Sequence, residues 1–272
     1  MPELPETETI ARDLHAAIAG TRIVAATVAR VDVLRGLSGE ELGPALAGRV
    51  VARTWRRAKS IVLSLDDGAH AVVTPRFTGA LILAPPGEDD PYACVRMQLG
   101  DGRELRYTDV RRLGTFAVLG AGAFDAWAGS LGPEPLDPGF TPERLSECLR
   151  GSKRAVKSVL MDQTRLAGVG NIYANEALWR AGIRPSRHAA SLTRREFSAL
   201  HRELTGVLAA AIAARGTSFR DYRDAFGQRG GFAAHLQAYG RGGQPCARCG
   251  ETLKTSHAID GRATVWCPGC QR

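Results

Sequence analysis

Apolar positions along the chain follow two rhythms. From Pro5 to Ala19 they recur at Ile10, Leu14, Ala17 and Ile18, which predicts a one-sided helix stopped by Gly20. The next hundred or so residues change character. Thr21–Val31, Val50–Trp55, Ser60–Leu65, Ala71–Thr74, Ala80–Leu83, Cys94–Leu99 and Thr115–Leu119 are short, β-branched or apolar, and separated by Gly, Pro and Asp. That pattern predicts an antiparallel sandwich. A Gly- and Pro-rich stretch, 129–139, follows as an interdomain linker. Beyond it the helical rhythm returns. Thr193 and Glu196 are spaced for a capping box, and Phe197, Leu200, Leu204, Val207, Leu208, Ala211 and Ile212 share one face. Another helix opens after Gly168-Val169-Gly170-Asn171 and closes at Gly182 and Pro185. Such a turn is often only a turn, yet it can also offer backbone N–H groups to an anion.

With 272 residues and 44% apolar composition the chain can bury a substantial core in two or three domains. Residues 1–20 carry Glu3, Glu6, Glu8 and Asp13 against Arg12, and no long apolar run follows. This argues against both a signal peptide and a membrane span, and a cytoplasmic location is expected. A net charge of +8 suits a polyanionic partner. The excess is concentrated in two places, 150–170 and 220–272, which could line one groove.

Cys246-Ala-Arg-Cys249 and Cys267-Pro-Gly-Cys270 have the spacing of a two-knuckle site for one structural zinc ion. A pair of disulfides is disfavoured in a reducing compartment. Cys94 and Cys148 lie in apolar surroundings and are expected to be buried thiols. At the other end, removal of Met1 would expose Pro2 as a secondary amine. Such an amine attacks aldehyde-level carbon and forms an iminium ion. Glu3 stands one residue away, where a carboxyl group can move the protons of ring opening and elimination. Taken alone, Pro-Glu also suits an ordinary helix entry, with Pro5 at the first helical position and acids at the positive end.

The order of these elements resembles the formamidopyrimidine-DNA glycosylase and endonuclease VIII family of base-excision repair enzymes. The likeness runs from Pro2-Glu3-Leu4-Pro5-Glu6 through Tyr107-Thr108-Asp109-Val110-Arg111-Arg112-Leu113-Gly114, Val156-Lys157 and Gly168-Val169-Gly170-Asn171-Ile172-Tyr173 to Tyr239-Gly240-Arg241, Arg262-Ala263-Thr264 and the four cysteines. The resemblance implies an α+β chain divided into an N-terminal β-sandwich domain (2–128), a linker (129–139), a helix-two-turns-helix domain (140–226) and a zinc ribbon (227–272). It implies a bifunctional glycosylase and abasic-site lyase acting as a monomer on double-stranded DNA with damaged bases or abasic sites. That enzyme would be cytoplasmic and nucleoid-associated, with no redox cofactor and no membrane partner.

Carried over position by position, the resemblance makes Pro2 the Schiff-base nucleophile and Glu3 the acid/base. Lys59 joins the catalytic set and, with Asn171, contacts phosphate. Lys157 lies near the lesion, and Tyr239 and Arg262 belong to the DNA-binding face. Arg111 faces the orphaned base, flanked by Phe77 and Leu113 as void-filling wedges.

The family pattern is broken at one place. Where formamidopyrimidine-type members read His-Leu-Gly-Met-Ser-Gly, this chain reads Thr74-Pro75-Arg76-Phe77-Thr78-Gly79, and Leu113 stands at a usual phenylalanine. Aromatic and aliphatic wedges have exchanged positions. The segment from Thr217 to Phe232 keeps the length of the loop that covers an extruded purine, so 8-oxoguanine and formamidopyrimidines are the expected lesions. Oxidised pyrimidines, and a catalytically weakened relative that only binds damaged DNA, are the alternatives.

Overall fold

The computed structural model describes residues 2–272 apart from Pro86, Asp89 and Arg220. Its contacts divide the chain into two compact units, one formed by 1–129 with 214–231 and the other by 130–213 with 232–272. Residues 214–231 therefore pack with the first unit, although the resemblance implies a helix-two-turns-helix domain that runs to 226. Among the described residues no helix is long and apolar enough to cross a membrane.

The first unit opens with α1 (Leu4–Ile18), one residue earlier than its apolar rhythm suggests. Eleven further elements follow: β1 (Ile23–Val28), β2 (Leu34–Arg35), α2 (Gly39–Leu46), β3 (Val51–Arg57), β4 (Ser60–Leu65), β5 (His70–Thr74), β6 (Gly79–Ala84), β7 (Ala93–Leu99), β8 (Glu104–Asp109), β9 (Thr115–Leu119) and α3 (Ala121–Gly129). They form a four-stranded sheet ordered β1-β7-β8-β6 and a five-stranded sheet ordered β2-β9-β5-β4-β3. Every pairing is antiparallel except the short β2–β9 pair.

Val95, Met97, Leu105, Tyr107 and Leu81 of the first sheet share one buried core with Ile61, Leu63, Val73 and Phe116 of the second and with Ile10, Leu14 and Ile18 of α1. This is the expected sandwich. In β4 the alternate residue Val62 is also buried, against Val72 and Phe124, because α3 covers the outer face. A strand covered on both faces reads as a continuous apolar run. Tyr222 and Ala225 complete the main core, and Leu83 N–H donates to Ala225 O at 2.8 Å.

The second unit holds α4 (Pro142–Leu149), α5 (Val156–Leu160), α6 (Asn171–Ala181) and α7 (Arg194–Ala213), followed by a hairpin of β10 (Lys254–Ser256) and β11 (Thr264–Trp266). At the head of α7, Thr193 Oγ1 accepts from Glu196 N–H at 3.3 Å while Thr193 N–H donates to Glu196 Oε2 at 2.8 Å, the expected reciprocal cap. Gly182 ends α6 in the left-handed conformation, φ 72°. Trp179 of α6 is buried with Ala238, Cys246, Leu253, Val265 and Cys267, which seats the cysteine ribbon on the helical part of this unit.

Candidate active site

In the first unit, Pro2 and Glu3 are both buried at the start of α1. Glu6 fixes this end of the helix. Its Oε2 accepts from Glu3 N–H at 2.8 Å, as a capping residue does, and its Oε1 accepts from Thr217 N–H at 2.7 Å. One carboxylate therefore ties the N-terminal end of the helix to the loop that begins at Thr217. Arg215 reinforces the tie by pairing with Asp13 of α1 at 2.6 Å and with Asp224 of the loop at 2.5 Å. Within the loop a Cβ on Gly230 would collide with Gly216 O, so the two backbone strands approach as only glycine allows. Burial pushes the Tyr222 phenol well above its ordinary range, with the Glu6 carboxylate adding to the effect, so it stays a neutral donor and donates to Glu6 O at 3.4 Å.

Lys59 is half-buried in the tight turn between β3 and β4, next to Ala58 at φ 53°. That turn is connected to α1 by Arg56, which donates to Ala58 O at 3.0 Å and pairs with Glu8 at 2.8 Å. Burial works against the Glu8 carboxylate, but the guanidinium groups of Arg56 and Arg12 together outweigh it and Glu8 is held below the usual carboxylate range. The Lys59 turn is thus anchored to α1, the helix that Pro2 and Glu3 precede.

The two loops expected to carry the wedges meet over Asp109, a buried carboxylate at the end of β8. Its Oδ1 accepts from Thr78 Oγ1 at 2.5 Å and Arg111 N–H at 3.1 Å; its Oδ2 accepts from Gly114 N–H at 2.8 Å and Tyr107 Oη–H at 3.1 Å. Arg111 N–H also donates to Thr78 Oγ1 at 3.0 Å. A Cβ on Gly114 would overlap the Tyr107 hydroxyl, so this close approach excludes any other residue. Above this scaffold Phe77 and Leu113 are 43% and 41% exposed, unusual for large apolar side chains that could pack in the sandwich below. The structure therefore brings Phe77, Arg111 and Leu113 to one surface.

In the second unit the ten-residue path from α5 to α6 makes two hydrogen-bonded turns. Asp162 O accepts from the N–H groups of Arg165 and Leu166, both at 2.9 Å. Gln163 braces the second turn, accepting from Gly168 N–H and donating to Met161 O and Val169 O. Asn171 opens α6 half-buried. Lys157, which the resemblance places near the lesion, is not a surface side chain. It is fully buried, and Nζ donates to Ala263 O at 2.9 Å and Thr264 Oγ1 at 2.8 Å. Thr264 Oγ1 in turn donates to Arg262 O at 3.1 Å. Asn175 accepts from Val265 N–H at 2.8 Å, and Ser158 donates to Asp260 Oδ2 at 2.6 Å. Helices α5 and α6 thereby grip the β10–β11 turn, leaving Arg262 exposed at its tip. Tyr239 is held by its backbone: Glu176, buried in α6, accepts from the N–H groups of Gln237, Ala238 and Tyr239 at 2.8–3.1 Å.

The thiols of Cys246, Cys249, Cys267 and Cys270 lie within 4.8 Å of one another and can hold a metal ion. Burial opposes ionisation of Cys246, yet N–H groups of Arg248 and Cys249 bring that thiol down to about 6. Cys94 is buried as expected, whereas Cys148 is only half-buried; burial raises both thiols above their ordinary range.

Two family models match the chain, the formamidopyrimidine-DNA glycosylase N-terminal domain over residues 1–116 and the formamidopyrimidine-DNA glycosylase H2TH domain over 131–223. Formamidopyrimidine-DNA glycosylase of Roseiflexus sp. (strain RS-1) is 43% identical over 100% of both chains. The chain belongs to the formamidopyrimidine-DNA glycosylase family. Among solved structures of this family, the MutM (Fpg) protein of Thermus thermophilus superposes with a TM-score of 0.89 at 35% identity, covering 99% of this chain and 98% of that one. The Lactococcus lactis Fpg in complex with abasic site containing DNA superposes at 0.92 and 31% identity, covering 99% of each chain.

Sequence reasoning singles out candidate reactive residues and misses those that hold them in place. Glu6 was discoverable, since it stands three residues after Glu3 at a helix start. Asn175 and Glu176 also left a signal, as polar residues in the inward-facing run of α6. Asp109 had none beyond its place in the glycosylase motif.

Proposed function

We propose that this chain is a bifunctional DNA glycosylase and abasic-site lyase that removes oxidised purines, 8-oxoguanine and formamidopyrimidines, through Pro2. The observation that carries the reading is the buried Pro2-Glu3 pair at the head of α1, tied by Glu6 to the Thr217 loop, in a full-length member of this repair family. Once Met1 is removed, the Pro2 amine attacks C1′ as the bond to the base breaks. Glu3 delivers a proton to the sugar ring oxygen, the ring opens, and an iminium ion remains. That cation acidifies the C2′ proton; its loss expels the 3′ phosphate, and a second elimination expels the 5′ phosphate.

Lys59 and Asn171 serve the phosphates, Phe77 and Leu113 fill the void in the stack, Arg111 reads the orphaned base, and Tyr239 and Arg262 engage the duplex. Lys157 acts from beneath Arg262. The four cysteine thiolates would hold one zinc ion: four sulfur donors within 4.8 Å of one another are a donor set that suits it, and the ion would supply structure, not reactivity. The enzyme works as a monomer on DNA in the cytoplasm, at the nucleoid.

The test is borohydride trapping of the mature protein on duplexes containing 8-oxoguanine, a formamidopyrimidine, an oxidised pyrimidine or an abasic site. The pyrimidine is included because the Lactococcus lactis Fpg forms a complex with oxidised pyrimidine containing DNA. A covalent adduct mapped to Pro2, formed fastest on the purine lesions, is expected. An adduct on Lys59, or none on any duplex, overturns the assignment.

A further inference from the structure

Phe77 has a backbone φ of 49°, in the left-handed region that bulky side chains avoid. The strain does not carry the ring into the core; it turns the ring outward, where the Arg111 guanidinium lies 4.7 Å from its centroid. The two consecutive arginines of this loop are treated differently. Arg112 pairs with Asp32 at 3.1 Å, whereas among the described residues no carboxylate reaches the Arg111 guanidinium. Contact with a ring occupies the flat face of a guanidinium and leaves its in-plane donors for hydrogen bonding. Both loops are tied to the same carboxylate, since the Thr78 hydroxyl beside Phe77 and the Arg111 N–H both donate to Asp109 Oδ1.

We propose that Phe77 is a specificity-determining residue: its ring holds the Arg111 side chain in the pose that reads the base opposite the lesion. Void filling and opposite-base reading are then coupled through one cation–π contact, which an aliphatic wedge at position 77 cannot make. The inference rests on the assignment of Arg111 to the orphaned base.

The experiment is equilibrium binding of the full-length protein to duplexes with a tetrahydrofuran abasic analogue opposite C, G, A or T, which requires no chemistry at C1′. Wild type gives a spread of affinities across the four bases. Phe77→Leu, which keeps an apolar wedge without a ring, narrows that spread about two- to fivefold, the range an exposed cation–π contact supports. Phe77→Tyr retains it. In an Arg111→Ala background, Phe77→Leu produces no further narrowing. The proposal is overturned if wild type shows no spread, if Phe77→Leu keeps the full spread, if Phe77→Tyr loses it, or if the narrowing persists without Arg111. Failure of the repair reading would appear separately, as absence of any trapped adduct while the wild-type spread remains.

Discussion

Replacing Lys157 with Met preserves most of the buried stem and removes the ammonium that bonds Ala263 O and Thr264 Oγ1. Hydrogen bonds from a charged donor are worth about 1.5–3 kcal/mol each, and the cost of burying the charge offsets part of that. Neither acceptor group is left bare, because Ala263 O still accepts from Asn175 Nδ2 at 3.3 Å and Thr264 Oγ1 still donates to Arg262 O. A net loosening of about 1.4 kcal/mol at the turn bearing Arg262 predicts a roughly tenfold loss of affinity for duplex DNA. The assay is a salt titration of binding to an abasic-analogue duplex by wild type, Lys157→Met, Arg262→Ala and the double variant. Each phosphate contact contributes about 0.9 to the slope of log affinity against log salt. If Lys157 acts only through the hairpin, the double variant matches Arg262→Ala in both affinity and slope. A further fall in slope of about 0.9 in the double variant would mean that Lys157 itself neutralises a phosphate, and the positioning role would be wrong.

Chelation of the metal should loosen the ribbon and weaken DNA binding while the sandwich stays folded, and fluorescence of Trp179, which packs against Cys246 and Cys267, reports the change; unchanged DNA affinity in metal-free protein would remove the ribbon from the DNA face. Asp109→Asn presents an amide nitrogen to a site filled by four donors, so a loss of about 2–4 kcal/mol is expected in denaturant unfolding; a loss under about 0.5 kcal/mol would show that the wedge loops stand without it. In Glu196 the hydrogen bond from Arg187 lowers the carboxyl to about 2. The ionised form is therefore the stabilising one: its contribution is complete above the ordinary value of about 4.5 and disappears as pH falls to about 2. Solvent screening limits it to about 1 kcal/mol, and Glu196→Gln should flatten that part of the acid unfolding curve.

Elements with a clean local rhythm were legible in the chain, as in α1, α6, α7 and most strands of the sandwich. Strand β8 was not, because its buried Arg106, paired with Glu104, breaks the apolar alternation that marks a strand. Helix α2 contains Pro44 and two glycines, which hide its period; the Ser38 and Glu41 capping box was its one local signal. At the site, the four cysteines announce themselves by spacing, whereas Pro2 and Glu3 suit an ordinary helix entry as well and stand out only through the resemblance that joins them to the other motifs. The environment of Lys157 could not be read at all, since a lysine on a short helix carries no mark of what folds over it. Residues 214–231 posed the same problem: their attachment to α1 depends on Glu6 and Asp13, more than two hundred positions away.

That attachment sets the timetable of the chain's assembly. The sandwich core is closed by Tyr222 and Ala225, so the first unit remains unfinished on the ribosome until all of 130–213 has been made. A fragment ending at Gly129 would expose the apolar floor on which those residues rest. Adding a peptide of 214–231 in trans should restore it, and an enzyme split at residue 130 should recover a folded first unit only from two pieces that both carry their share of it.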